Sequence, residues 1–99
     1  MESKKQVLTM AFSTSEDHNR LSEDQKLAVV TEATKAMGGV TLTEHIGGYT
    51  MENGSLAIEY SYTLEFFGAS KAAVKNFGLK LGKDNSQESI LLNGSLVYC

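Results

Sequence analysis

His45, Glu59, Ser61 and Thr63 are the residues of this chain whose types and spacing suit chemistry. Glu59, Ser61 and Thr63 alternate at period two, so in a strand they share one face. A histidine held near a carboxylate is the arrangement that general acid–base work requires. Hydroxyls beside them could bind a polar ligand. Two further candidates, Lys71 and Lys75, begin a run of lysines that continues with Lys80 and Lys83. Lysines so clustered either form a solvated helix face or contact an anion such as phosphate. No nucleophile motif of the Gly-x-Ser-x-Gly kind accompanies the histidine, and no cysteine lies near it. The two histidines, His18 and His45, and the lone Cys99 lack the spacing of metal ligands. We therefore expect a non-enzymatic chain with no metal and no cofactor, whose ligand-binding residues are His45, Glu59, Ser61, Thr63, Lys71 and Lys75.

These residues need a scaffold, and the hydrophobic pattern supplies one. From 55 to 67 the chain alternates strictly: Leu56, Ile58, Tyr60, Tyr62, Leu64 and Phe66 point one way, Ala57, Glu59, Ser61, Thr63 and Glu65 the other. The segment before it, 40–51, also alternates but changes phase. Val40, Leu42 and Ile46 are even-numbered, whereas Tyr49 and Met51 are odd. A one-residue slip exchanges the faces of a strand. Gly47-Gly48 sits at the break, so a bulge is expected there. Asn53-Gly54 predicts a two-residue type I′ turn joining the two strands. This register sends Tyr49, Tyr60 and Tyr62 to the core. Thr43, His45, Thr50, Glu59, Ser61, Thr63 and Glu65 are left on a free sheet face.

Residues 6–14 read as a first strand with Leu8, Met10 and Phe12 on one face. Ser22-Glu23-Asp24-Gln25 has the form of a capping box. The helix it opens places Leu27, Val30, Thr34 and Met37 at helical spacing, with Ala33 beside them, and closes at Gly38-Gly39. Ser70 caps a second helix carrying Ala73, Val74, Phe77 and Leu81, with an end expected at Gly82. A strand at 88–92 follows, and Asn93-Gly94 turns the chain into a short strand at 95–98. The order is βαββαβ, a single α+β domain over residues 1–99. It is ferredoxin-like, an antiparallel sheet with two helices on one face and a short extra C-terminal strand.

Composition narrows the partners. Ninety-nine residues with 41% hydrophobic and 21% charged content fit one small globular domain. A net charge of −3 does not suit general nucleic-acid binding, which needs a basic surface. One cysteine cannot form an internal disulfide, so a reducing, cytoplasmic setting is expected. Neither a signal peptide nor a membrane-spanning run is visible.

Gly47-Gly48-Tyr49, Gly54 and Glu59, followed by Gln87-Glu88-Ser89-Ile90-Leu91, resemble a pattern in short, uncharacterised ferredoxin-like proteins of phages and bacteria. The resemblance covers about residues 40–92 and implies a small accessory protein, in a phage-infected host's cytoplasm if phage-encoded. By analogy with small phage anti-defence proteins, the expected role is sequestration of a small anionic, nucleotide-like signal by a homo-oligomer. The alternative is an inhibitor or adaptor that covers a host protein through its open sheet or an edge strand, with Glu44, Glu52, Glu59 and Glu65 facing a basic site.

Overall fold

A computed structural model describes residues 5–12 and 20–99, apart from the side chain of Tyr49. The elements are β1 (Lys5–Met10), α1 (Glu23–Met37), β2 (Thr41–Thr50), β3 (Leu56–Phe67), α2 (Lys71–Asp84), β4 (Ser89–Leu92) and β5 (Ser95–Tyr98). The five strands form one antiparallel sheet in the order β2-β3-β1-β4-β5. This is the expected ferredoxin-like α+β arrangement with the extra terminal strand. No helix among the described residues is long and apolar enough to cross a membrane.

Parity assigns the two faces. Gln6, Leu8 and Met10 are buried in β1, as are Tyr62, Leu64 and Phe66 in β3 and Ile90 and Leu92 in β4. These even-numbered residues line the face that the helices cover. Phe12 meets Tyr62 edge-on at 5.7 Å, and Phe66 meets Phe77 of α2 at 6.0 Å. Edge-to-face contacts of this kind suit the charge distribution of aromatic rings. α2 lies so close to the sheet that a Cβ added at Gly78 would stand 2.7 Å from Leu8 and 2.8 Å from Ile90. Glycine at 78, which costs helix propensity, is what permits that approach.

The helix caps form as the sequence suggests. The Ser22 side chain accepts from the Gln25 backbone, and the Gln25 side chain accepts from the Ser22 backbone. Gly38 closes α1 in the left-handed region at φ 92°. The buried stripe of α1 keeps Ala33 and Met37 of the expected set but not Leu27. Ala33 is fully buried, with Val29 and Met37 packed beside it, while Leu27 is 64% exposed. α2 runs past Gly82 to Asp84, because Gly82 packs against Cys99 and Ile90 rather than ending the helix.

The β2–β3 hairpin corrects the expected register. Thr41 pairs with Glu65, Ile46 with Tyr60, Gly48 with Ile58 and Thr50 with Leu56, in one unbroken ladder. There is no bulge at Gly47-Gly48. The extra residue sits in the turn instead. The Gly54 amide donates to the Met51 carbonyl at 2.9 Å, and the Met51 amide donates to the Ser55 carbonyl at 2.7 Å. With Gly54 at φ 84°, these bonds describe a three-residue loop ending in a glycine bulge. The expected type I′ turn forms at the other Asn-Gly pair, where Asn93 and Gly94 take φ 52° and 83°. Tyr60 and Tyr62 stay on the helix side as expected. Tyr49 pairs with Ala57, and the expectation for its side chain lies outside the described residues; Thr50 moves to the helix side.

Replacing Gly78 by alanine sets a helix-propensity gain of about 1 kcal/mol against overpacking of about 1–3 kcal/mol. Because two core side chains would collide with the new methyl, the variant should be less stable than wild type in urea unfolding. A gain in midpoint would mean that Leu8 and Ile90 repack freely.

Candidate functional site

On the face without helices, the odd-numbered residues of three strands meet. His45 pairs with Ser61, Thr43 with Thr63, and Thr63 with Thr9 across β2, β3 and β1. The imidazole Nε2 of His45 lies 2.7 Å from the Thr63 hydroxyl, which in turn lies 3.3 Å from the Thr9 hydroxyl. The result is a polar chain across the sheet centre. Glu59 stands one step along toward the turn, opposite Gly47. A Cβ at Gly47 would meet nothing within 4 Å, so the space facing the carboxylate is open. Among the described residues Glu59 has no ion-pair partner. Glu65, by contrast, sits 3.8 Å from Lys5.

The structure thus brings together four of the six expected site residues: His45, Glu59, Ser61 and Thr63. Lys71 and Lys75 are not among them. Both lie exposed on α2, in the layer on the other side of the sheet. Two helices on one face necessarily separate helix lysines from the free face. Among the described residues no group of three His, Cys, Asp or Glu could hold a metal ion.

A second polar cluster, on the helix side, was missed by the sequence reading. Glu44 is even-numbered and therefore enters β2 among core positions. Its carboxylate accepts from the Tyr62 hydroxyl at 2.7 Å, from Lys26 at 3.1 Å and from Arg20 at 3.5 Å. The Tyr62 hydroxyl also accepts from the Leu21 amide at 2.8 Å. Arg20 lies over the Tyr60 ring, 5.3 Å from its centre. The hydrogen bond from Tyr62 does most to hold the Glu44 carboxyl below its ordinary range; burial opposes it, and the Lys26 hydrogen bond with the charges of Lys26 and Arg20 lowers it further. Burial, with the hydrogen bond to Glu44 and its charge, pushes the Tyr62 phenol up against the opposing bond from the Leu21 amide. Lys26 is raised by its bonds to Glu44 and Glu23. Glu44 is therefore occupied within the chain and unavailable to a basic partner. The signal that could have found it is an acid in the apolar phase of a strand, which demands local partners.

No known family matches the sequence, and no curated protein does. Two solved structures share the fold. A phage SAM lyase in complex with S-methyl-5′-thioadenosine matches with a TM-score of 0.65 at 18% identity, over 98% of this chain and 90% of that one. A phage SAM lyase in the apo state matches with a TM-score of 0.65 at 18% identity, over 96% and 88%. Such a likeness establishes the architecture. Both neighbours are enzymes, and on that finding the expectation of a non-enzymatic chain is withdrawn.

Tyr62→Phe removes the hydroxyl that joins Glu44 to the Leu21 amide. It should cost about 1–3 kcal/mol in chemical unfolding, the usual penalty for stranding buried partners. The pH dependence has a definite sign. Because the Glu44 pKa is lowered on folding from its ordinary value of 4.5, its stabilisation is present above that value and lost as pH falls through the folded pKa. Glu44→Gln should therefore flatten the acid limb of a melting-temperature profile. An unchanged acid limb would show that the pairing contributes nothing.

Proposed function

We propose that this chain is a small enzyme that binds S-adenosylmethionine, or a sulfonium nucleoside like it, on the open sheet face and cleaves it without water. The observation that carries this reading is the fold shared over nearly the whole chain with a phage SAM lyase holding S-methyl-5′-thioadenosine. Fold alone does not transfer activity, so the local chemistry has to agree with it. S-methyl-5′-thioadenosine is what remains of S-adenosylmethionine when the four-carbon amino-acid chain leaves the sulfur. The carbon–sulfur bond breaks and its electron pair stays on sulfur, turning a sulfonium into a neutral thioether. The departing carbon is taken by the fragment's own carboxylate, closing a lactone, or a neighbouring carbon loses a proton to give an alkene.

Neither route needs a metal or a redox partner. Both need a site that holds a cationic substrate in a reactive conformation, which is catalysis by positioning. Glu59 is suited to that task. Its carboxylate, without an ion-pair partner among the described residues, stands opposite the gap at Gly47 and would attract the ammonium or sulfonium group. The hydroxyls of Ser61 and Thr63 and the imidazole of His45 supply hydrogen bonds for a ribose or for the amino-acid end. A carboxylate on the open face, with the α2 lysines remote, favours a cation over the anionic ligand suggested by the lysine run.

The test is to incubate the purified chain with S-adenosylmethionine and follow S-methyl-5′-thioadenosine by liquid chromatography against a protein-free control. Formation above the control rate is expected. Glu59→Gln should lower kcat/KM by about 10- to 100-fold, the equivalent of losing one charge-assisted contact of about 1.5–3 kcal/mol. Glu65→Gln should change it little, since that residue already pairs with Lys5. Product at the control rate, together with no thermal shift from either nucleoside, would refute the reading.

A further inference from the structure

The chain contains two Asn-Gly pairs, Asn53-Gly54 and Asn93-Gly94. In such a pair the glycine nitrogen, unshielded by a side chain of its own, can attack the asparagine side-chain carbonyl. Asparagine counts among the thermolabile residues for this kind of chemistry. Both pairs sit at exposed turns, so access to water does not separate them. Their hydrogen bonds do.

Asn93 is held from outside its turn. Its Oδ1 accepts from the Val7 amide at 2.8 Å, and its Nδ2 donates to Gln6 Oε1 at 2.8 Å. The Asn93 amide donates to the Val7 carbonyl, also at 2.8 Å. All of these bonds run to β1, the central strand of the sheet. Releasing Nδ2 would take a partner from Gln6, which is 7% exposed.

Asn53 has the opposite arrangement. Its Oδ1 accepts from the Ser55 amide at 2.9 Å, closing a ring of atoms that contains the Gly54 nitrogen. That bond folds the side-chain carbonyl back over the peptide that would attack it. An N–H aimed at a carbonyl oxygen also stabilises the negative charge that gathers there during attack. Among the described residues no bond holds Asn53 Nδ2. The Gly54 amide donates to the Met51 carbonyl at 2.9 Å, but residues 51–55 are all exposed at the hairpin tip, where opening is cheap.

We propose that Asn53 is a site of spontaneous deamidation, and that β1 protects Asn93 from the same reaction. The Gly54 nitrogen gives its proton to solvent, and its electron pair forms a bond to Asn53 Cγ. The Cγ–Nδ2 bond breaks, and Nδ2 leaves with a proton as ammonia. Water then opens the cyclic imide at either carbonyl. Opening at Cγ gives aspartate. Opening at the main-chain carbonyl gives isoaspartate, whose backbone runs through the former side chain. Water is the co-reactant, and nothing is oxidised or reduced.

The two products treat the hairpin differently. Aspartate keeps an oxygen for the Ser55 amide and adds a negative charge beside Glu52. Isoaspartate puts an extra carbon into the main chain of the loop, so the bonds joining Met51 to Gly54 and Ser55 no longer close together.

The test is to age the purified chain at mildly alkaline pH and digest samples over time. Electron-transfer mass spectrometry then separates aspartate from isoaspartate at each asparagine. A parallel sample in concentrated urea gives the rates that sequence alone dictates, and there the two pairs should convert alike. In the folded chain Asn93 should convert roughly ten- to a hundredfold more slowly than Asn53, as expected for a side chain that must first break two net hydrogen bonds. Hydrogen exchange at the Met51 and Gly54 amides should quicken in the isoaspartate fraction and stay unchanged in Asn53→Asp. Equal rates at the two pairs in the folded chain, or faster conversion of Asn93, would overturn the proposal. None of these readouts involves a ligand, so the result stands apart from the enzyme assay.

Discussion

The three-residue loop at Glu52–Gly54 sets the register of the two longest strands, and that register decides what each hairpin residue faces. Gly54 supplies the positive φ that lets the loop hold one residue more than a two-residue turn. Every β2 residue from Thr41 to Thr50 is thereby paired even with even and odd with odd. With one residue fewer in the loop, the strand near the turn would exchange faces. Glu59 would then lose its position opposite Gly47, and Ile58 its position opposite Gly48.

The same dipeptide makes a different turn forty residues later, and the reason is tertiary. Asn93 adopts positive φ where its side chain is held from outside the turn, accepting from the Val7 amide and donating to Gln6, each at 2.8 Å. Among the described residues Asn53 has no neighbour of that kind. Its side chain instead accepts from the Ser55 amide at 2.9 Å, a local bond that stabilises the loop itself. A sequence signal read only along the chain cannot distinguish the two, because the deciding contacts come from β1.

What the sequence made legible follows the same division between local and distant causes. The strict alternation of β3, the capping box at Ser22 and the glycine at the end of α1 are local patterns, and all three appear in the fold. His45, Glu59, Ser61 and Thr63 were assigned to the free face correctly because alternation alone determines their side. The phase break in β2 was also real, but periodicity shows only that one residue is extra, not where the chain absorbs it. On α1, Leu27 and Ala33 both belong to plausible stripes, and only packing against the sheet selects the second. The Glu44 cluster was out of reach for the plainest reason: Arg20 and Lys26 come from another element, 24 and 18 positions away.

The adjacent glycines, first read as one device, serve two faces. Gly47 opens the polar side of the hairpin opposite Glu59, where the proposed substrate would sit. Gly48 leaves the apolar side flat beside Ile58. Two side chains in their place would fill both spaces and improve strand propensity, so local stability gives no reason for glycine at either position. A chain of this size has little stability to spare, yet it keeps a long hairpin outside its own core. Such a hairpin, paired strand to strand but covered on neither face, belongs to the easily opened part of a structure. Covering its apolar face would rigidify the strand that presents Glu59 from behind. The glycine pair therefore bears on both faces of one two-stranded element.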